Sequence, residues 1–148
     1  VMRTSWVFGA HGQNFVKTML RLGRERDSLG IVADQYGAPT AAADIAAALI
    51  TIVRRHTPGQ LAEHAGIYHY CGSPYASWFE FAETIFAEAA AQGVLAKIPT
   101  VKPIATADYP TPAKRPADSR LDCGKIRTVF GIGPCDWHFA LSDLRPYL

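Results

Sequence analysis

Two short segments of this chain hold the residues best suited to chemistry. Trp6 stands with Thr4 and Ser5 where an apolar stretch ends. An indole at such a place either stacks on a sugar or base ring or fills the core, and the residue type suits both roles. Asn14 follows a glycine-punctuated loop over 9–13 and suits the cap of a helix. The first-turn N–H groups of that helix lack partners and Lys17 lies one turn in, which describes either an anion site or an ordinary cap. Arg115 lies in "AKRPADSR", a stretch stiffened by Pro112 and Pro116. A guanidinium on a stiff loop loses little rotamer freedom when it grips a phosphate through two parallel hydrogen bonds. A solvated arginine is the plainer reading there, and Arg120 shares both.

Recognisable catalytic constellations are missing. None of the five histidines stands with a serine or cysteine and an acid at a known motif spacing, and there is no nucleophile elbow. No glycine-rich turn of the dinucleotide-binding kind follows a strand. None of the six tyrosines has a lysine four residues on. The cysteines Cys71, Cys123 and Cys135 are odd in number and contain no C-x-x-C, which fits reduced thiols in a cytoplasm better than a disulfide framework. Four ligands at zinc spacing are lacking, so no metal is expected. On its residues alone the chain reads as a binding element for something anionic and ring-bearing, short of a complete enzyme.

The elements that must position these groups follow from patterning. At 148 residues the chain has the size of one domain, able to bury roughly two thirds of its unfolded surface. It is 49% hydrophobic and 19% charged. Its net charge of +2 is too small to argue for nucleic acid or a membrane surface as partner, and no apolar run is long enough for a transmembrane helix. The basic residues are nonetheless clustered, Lys17, Arg21, Arg24 and Arg26 in one segment and Lys114, Arg115 and Arg120 in another. Residues 1–8 read as one strand, apolar enough to need neighbours on both sides, so the chain is expected to be part of a longer one.

A helix is expected from Phe15 to about Arg26 on the spacing of Phe15, Met19 and Leu22. A short strand and a Gly-Ala-Pro turn follow within 29–40, and Thr40 is the expected cap of an alanine-rich helix over 41–55. Residues 66–71 read as a strand. Ser77 and Glu80 form a capping box ahead of a helix over 78–92, with Trp78, Ala82, Ile85 and Ala89 on one face. The proline-rich stretch 98–119 is expected to be non-regular. Short helices are expected from Asp122 to about Phe130 and from Asp136 to the end.

Seven segments, "RTSWVFG", "NFVKTMLRL", "DQYGAPT", "GIYHYCG", "SWFEFAETIF", "YPTPAKRPADSRLD" and a late "DW", together resemble the dTDP-4-dehydrorhamnose reductases, extended short-chain dehydrogenases of rhamnose biosynthesis. The resemblance runs from residue 1 to residue 148 and is to the C-terminal half of the family. It implies an α/β fold: the C-terminal part of a Rossmann-type NAD(P)-binding fold plus a small α/β substrate-binding lobe. Residues 1–8 would be the last Rossmann-type strand and 14–148 mostly the substrate lobe. The family's N-terminal half, with its glycine-rich turn and Tyr-x-x-x-Lys pair, is not in this sequence.

The implied activity is reduction of the C4 ketone of dTDP-4-dehydro-L-rhamnose by NADPH or NADH, with this region gripping the dTDP-sugar and inactive alone. Carried over residue by residue, Trp6, Asn14, Lys17 and Arg115 would bind substrate, Thr4 and Ser5 would flank the nicotinamide, and no catalytic residue lies in the chain. Some family members bridge subunits through magnesium on acidic residues after "GAPT". Here Ala41, Ala42 and Ala43 occupy that stretch with only Asp44 acidic, so no metal is implied. A cytoplasmic setting is expected, and so is self-association of the isolated chain, as a homodimer or by aggregation. A non-catalytic nucleotide-sugar-binding or regulatory module and a nucleotide-sugar epimerase are the alternatives.

Overall fold

A computed structural model describes every residue of the chain except Lys114, a member of the second basic cluster, which lies outside the described residues. The apolar opening does not run as one strand over 1–8. It forms β1 (Met2–Arg3) and β2 (Val7–Phe8), separated by Trp6 at a φ of 47°. A left-handed residue cannot continue a strand, and the chain changes partners there. β1 pairs in parallel with β6 (Tyr68–His69), whereas β2 pairs in parallel with β5 (Thr40–Ala41).

α1 (Phe15–Glu25) starts as the sequence predicts. Asn14 caps it, Oδ1 accepting the Lys17 N–H at 3.2 Å, and Val16, Met19 and Leu20 are buried. β3 (Ser28–Val32) then pairs in parallel, residue for residue, with β9 (Thr100–Ile104). The stretch 98–119 is therefore less irregular than its prolines suggest. Among the described residues β9 is an edge strand paired only with β3, so the side of Pro103 that lacks an N–H can face away from the ladder. A 3₁₀ turn over Thr106–Asp108 follows.

β4 (Tyr36–Gly37) pairs antiparallel with β8 (Ala76–Ser77). α2 (Ala42–Arg55) has no side-chain cap, contrary to the role expected of Thr40. The fully buried Thr40 hydroxyl instead donates to the Ala38 carbonyl and accepts the Gly72 N–H at 3.1 Å. A buried backbone donor left without a partner costs more than an uncapped helix start near the surface. α3 (Pro58–Glu63), opened by a Thr57–Gln60 capping box, has no counterpart among the elements read from the sequence.

The strand expected over 66–71 is shorter, limited to β6, with β7 (Gly72–Ser73) after it. α4 (Trp78–Ala91) carries the predicted Ser77–Glu80 capping box and buries Phe81, Ala82, Ile85, Phe86 and Ala89. α5 (Gly124–Phe130) ends at Gly131, whose φ of 68° makes glycine the natural residue there. β10 (Cys135–Asp136) pairs in parallel with β7. α6 (Trp137–Leu141), capped by Asp136, is shorter than expected, and a 3₁₀ turn over Arg145–Tyr147 closes the chain.

Two hydrophobic cores result. The first gathers Phe8, Val16, Leu20, Phe81, Ile85 and Trp137 between α1, α4 and α6. The second gathers Ala48, Tyr68, Tyr70, Cys71, Ile126 and Phe130 between α2, β6 and α5. Among the described residues no helix is long and apolar enough to cross a membrane.

Candidate functional site

α1, β3 and the segment 109–119 enclose a cleft of about 1010 Å³ above the first core. Phe15, Thr18, Met19 and Leu22 of α1 form one wall and Ser28 to Val32 of β3 the floor. Tyr109, Thr111, Arg115, Pro116 and Ser119 make the opposite rim. Ser5, Trp6, Gln35 and Trp78 close one end, and Arg26 follows α1 on the same wall.

Trp6 is held on every side. Its indole stacks on Trp78 with ring centroids 3.5 Å apart and planes within 9°. Its Nε1–H donates to Ser119 Oγ at 3.1 Å, and that hydroxyl donates to the Tyr36 carbonyl at 3.1 Å. Gly37 lies against the ring so closely that a Cβ there would overlap it. The positive φ of Trp6 is thus maintained by a stack, a hydrogen bond and a glycine, each from a different part of the chain.

The sequence-derived candidates divide. Trp6, Ser5 and Arg115 line the cleft together. Thr4 is not among the lining residues, and the Ser5 hydroxyl donates to the Ala38 carbonyl at 3.3 Å. Asn14 and Lys17 do not line it either. Asn14 spends its side chain on its own neighbourhood, Nδ2 donating to the Gly9 carbonyl at 2.7 Å while Oδ1 caps α1. Arg120 turns to Asp118 in a two-pronged ion pair, with contacts of 2.9 and 2.6 Å, between the rings of Tyr36 and Tyr75. That pairing holds the Asp118 carboxyl down at about 2.

Several lining residues carried no local signal. Arg26 belongs to the uneven basic cluster of α1, which was the only hint of it. Trp78 read as one more apolar position on a helix face. Gln35 sits in an irregular segment and bonds to Thr106, 71 residues away, while Tyr109 and Thr111 belong to the proline-rich stretch and carry no motif of their own.

The chemistry available is that of grip. The cleft offers aromatic faces, two guanidinium groups, hydroxyls and one amide. Outside it, burial pushes the Cys71 thiol up to about 12 and the Cys135 thiol up to about 11, so neither is an activated nucleophile near neutral pH. Cys71 and Cys123 meet at 3.5 Å as free cysteines. Among the described residues no three metal-ligating side chains converge.

Comparison with known proteins places this architecture. A family model described as the RmlD substrate binding domain matches residues 1–145. The chain is 55% identical to the dTDP-4-dehydrorhamnose reductase of Aggregatibacter actinomycetemcomitans, over 99% of this chain and 50% of that protein. It is 39% identical to the enzyme of the same name from Escherichia coli K12, over 97% and 48% respectively. A crystal structure of dTDP-4-dehydrorhamnose reductase from Bacillus anthracis in complex with NADP superposes with a TM-score of 0.79 at 34% identity, covering 95% of this chain and 45% of that one. The Clostridium acetobutylicum orthologue gives 0.79 at 33%, with the same coverage.

The chain spans about half the length of the curated relatives it matches, and its mixed α/β architecture is a portion of their Rossmann-type fold. Matched almost from end to end by one family model and more than half identical to one of its members, the chain belongs to the dTDP-4-dehydrorhamnose reductase family, through its substrate-binding domain.

Proposed function

We propose that this chain is the substrate-holding part of a dTDP-4-dehydrorhamnose reductase, which binds the dTDP-sugar and leaves the redox chemistry to the remainder of the enzyme. The observation that carries this reading is the convergence of Trp6 and Arg115 on one cleft roomy enough for a nucleotide sugar. Arg115, with Arg26 on the facing wall, neutralises the diphosphate. The Trp6 edge bounds the sugar, and the apolar wall of α1 excludes water from the rings. Rigid placement of the sugar is what brings its C4 ketone within reach of a hydride donor.

NADPH, or NADH, supplies that hydride when bound. The residues present do not form a dinucleotide site, since no glycine-rich turn exists and the Ser5 hydroxyl is engaged by Ala38. Thr4 and Ser5 are assigned only to the flank of the nicotinamide. Asn14 and Lys17 are assigned to the outer approach of the diphosphate, where the α1 start adds positive potential. A homodimer in the cytoplasm completes the reading.

Calorimetric titration tests it. The purified chain is expected to bind dTDP more tightly than UDP, to lose about tenfold or more on Arg115→Ala, and to show no NADPH oxidation with dTDP-4-dehydrorhamnose. Equal affinity for UDP and dTDP would favour a related nucleotide-sugar enzyme, and turnover by the chain alone would refute the division of labour.

A further inference from the structure

Gln35 is more than nine-tenths buried, yet it lines the cleft. Its Nε2 donates to Thr106 Oγ1 at 3.0 Å, across 71 residues of sequence. Thr106 Oγ1 has a single proton, and that proton goes to Asp34 Oδ1 at 2.6 Å. The Thr106 N–H donates to the same carboxylate, at 2.9 Å to Oδ1 and 3.0 Å to Oδ2. These bonds hold the Asp34 carboxyl below its ordinary value, so it stays an acceptor at neutral pH.

The relay fixes the amide. With its proton committed to a carboxylate, Thr106 Oγ1 can only accept from Gln35, so the nitrogen of the amide faces Thr106 and the oxygen faces away. Among the described residues Oε1 has no hydrogen-bond partner, and no buried side-chain polar atom lacks one. Oε1 is therefore not sealed from solvent, and the cavity that Gln35 lines is the cleft. Gln35 also stands two residues before Gly37, on which the Trp6 indole rests. Ser28 opens β3 and Gln35 follows its other end, so the strand's length of about 13 Å lies between them in the chain.

We infer that Gln35 is a specificity-determining residue for the sugar, its Oε1 a fixed acceptor for a pyranose hydroxyl at the Trp6 end of the cleft, with Thr106 and Asp34 as positioning residues. This rests on the nucleotide-sugar reading of the site. An acceptor held in one orientation welcomes an O–H and repels a carbonyl or ether oxygen. The hydroxyl it takes is thus the C2 or C3 hydroxyl of the sugar, because C4 of the substrate is a ketone. A free amide would accommodate either kind of group by flipping; this one does not.

The test compares dTDP-rhamnose with dTDP, so that the sugar's increment in affinity is read separately from nucleotide binding. Gln35→Met is expected to lose about tenfold in dTDP-rhamnose affinity while dTDP changes less than twofold. Thr106→Val, which frees the amide to invert, should lose part of the same increment, and Thr106→Ser should restore it. On the unaltered chain, either the 2-deoxy or the 3-deoxy analogue should bind about tenfold more weakly than dTDP-rhamnose, a result independent of any variant's folding. Equal losses for dTDP and dTDP-rhamnose in Gln35→Met, or full affinity for both deoxy analogues, would overturn the inference while leaving the nucleotide-sugar reading intact. Failure of the unaltered chain to bind either dTDP or dTDP-rhamnose would overturn both.

Discussion

The core beneath the cleft and the core around Tyr68 and Phe130 are packed from similar helices and strands, but they are finished to different degrees. α4, in the first, turns five side chains fully inward. α2, of the same length, buries only Ala48 and leaves Leu49, Ile50 and Val53 between 45% and 65% exposed. Val1 and Ile67 are exposed as well, and a smaller cavity of about 200 Å³ opens between Val1, Leu49, Leu61 and Phe130. A closed core resists deformation and can hold a binding surface in one shape; an apolar face this open is the kind that seeks a partner. The cleft is built on the closed core.

Deleting a large side chain from each core gives the strongest test of this contrast. Phe81→Ala should cost about 3–5 kcal/mol in urea unfolding, as a cavity sealed on all sides cannot collapse. Phe130→Ala should cost less than about 3 kcal/mol, because the space beside it is already open. Equal costs would mean that the second core is as tightly closed as the first.

Gly37→Ala comes next. Overlap with the Trp6 indole should cost about 1–3 kcal/mol, unstack Trp6 from Trp78 and change the tryptophan fluorescence. An unchanged spectrum would show that the cleft end is softer than its core.

Acid should loosen the cleft rim before the second core. Asp118, held at about 2 by Arg120, has a folded pKa below the usual 3.8, so its contribution is present above pH 3.8 and is lost as the pH falls toward 2. Asp34 is lowered in the same direction by Thr106. Hydrogen exchange between pH 4 and 2 should therefore show the segment 105–119 losing protection first, and Asp118→Asn should flatten that dependence. The smallest effect is expected on the open face. Val53→Lys should change stability by no more than about 0.5 kcal/mol while shifting self-association toward monomer in light scattering.

What could be read from the residues in advance was what depends on near neighbours. The starts of α1 and α4 are set by Asn14 and by the Ser77–Glu80 box, a turn or less from the helices they open. Arg115 stood out because Pro112 and Pro116 flank it. The break at Trp6 was not legible, because Gly37, Trp78 and Ser119 impose it from distant positions. Thr40 looked like a cap until Gly72, 32 residues on, claimed its oxygen. Gln35 had no signal of its own, since its meaning comes from Thr106.

The strand pairings carry a consequence for how the molecule is made. Among the described residues no two strands are joined as a hairpin; β1 waits for Tyr68, β3 for Thr100, and the Trp6 indole for Ser119. Such non-local pairing pays its loop-closure entropy before any contact rewards it. A chain emerging from synthesis can form α1 early, but it has no cleft until residue 119 has been added. Until then the apolar sides of α1 and β3 stay uncovered, and the same stretch that later holds a ligand is the one most in need of protection from aggregation.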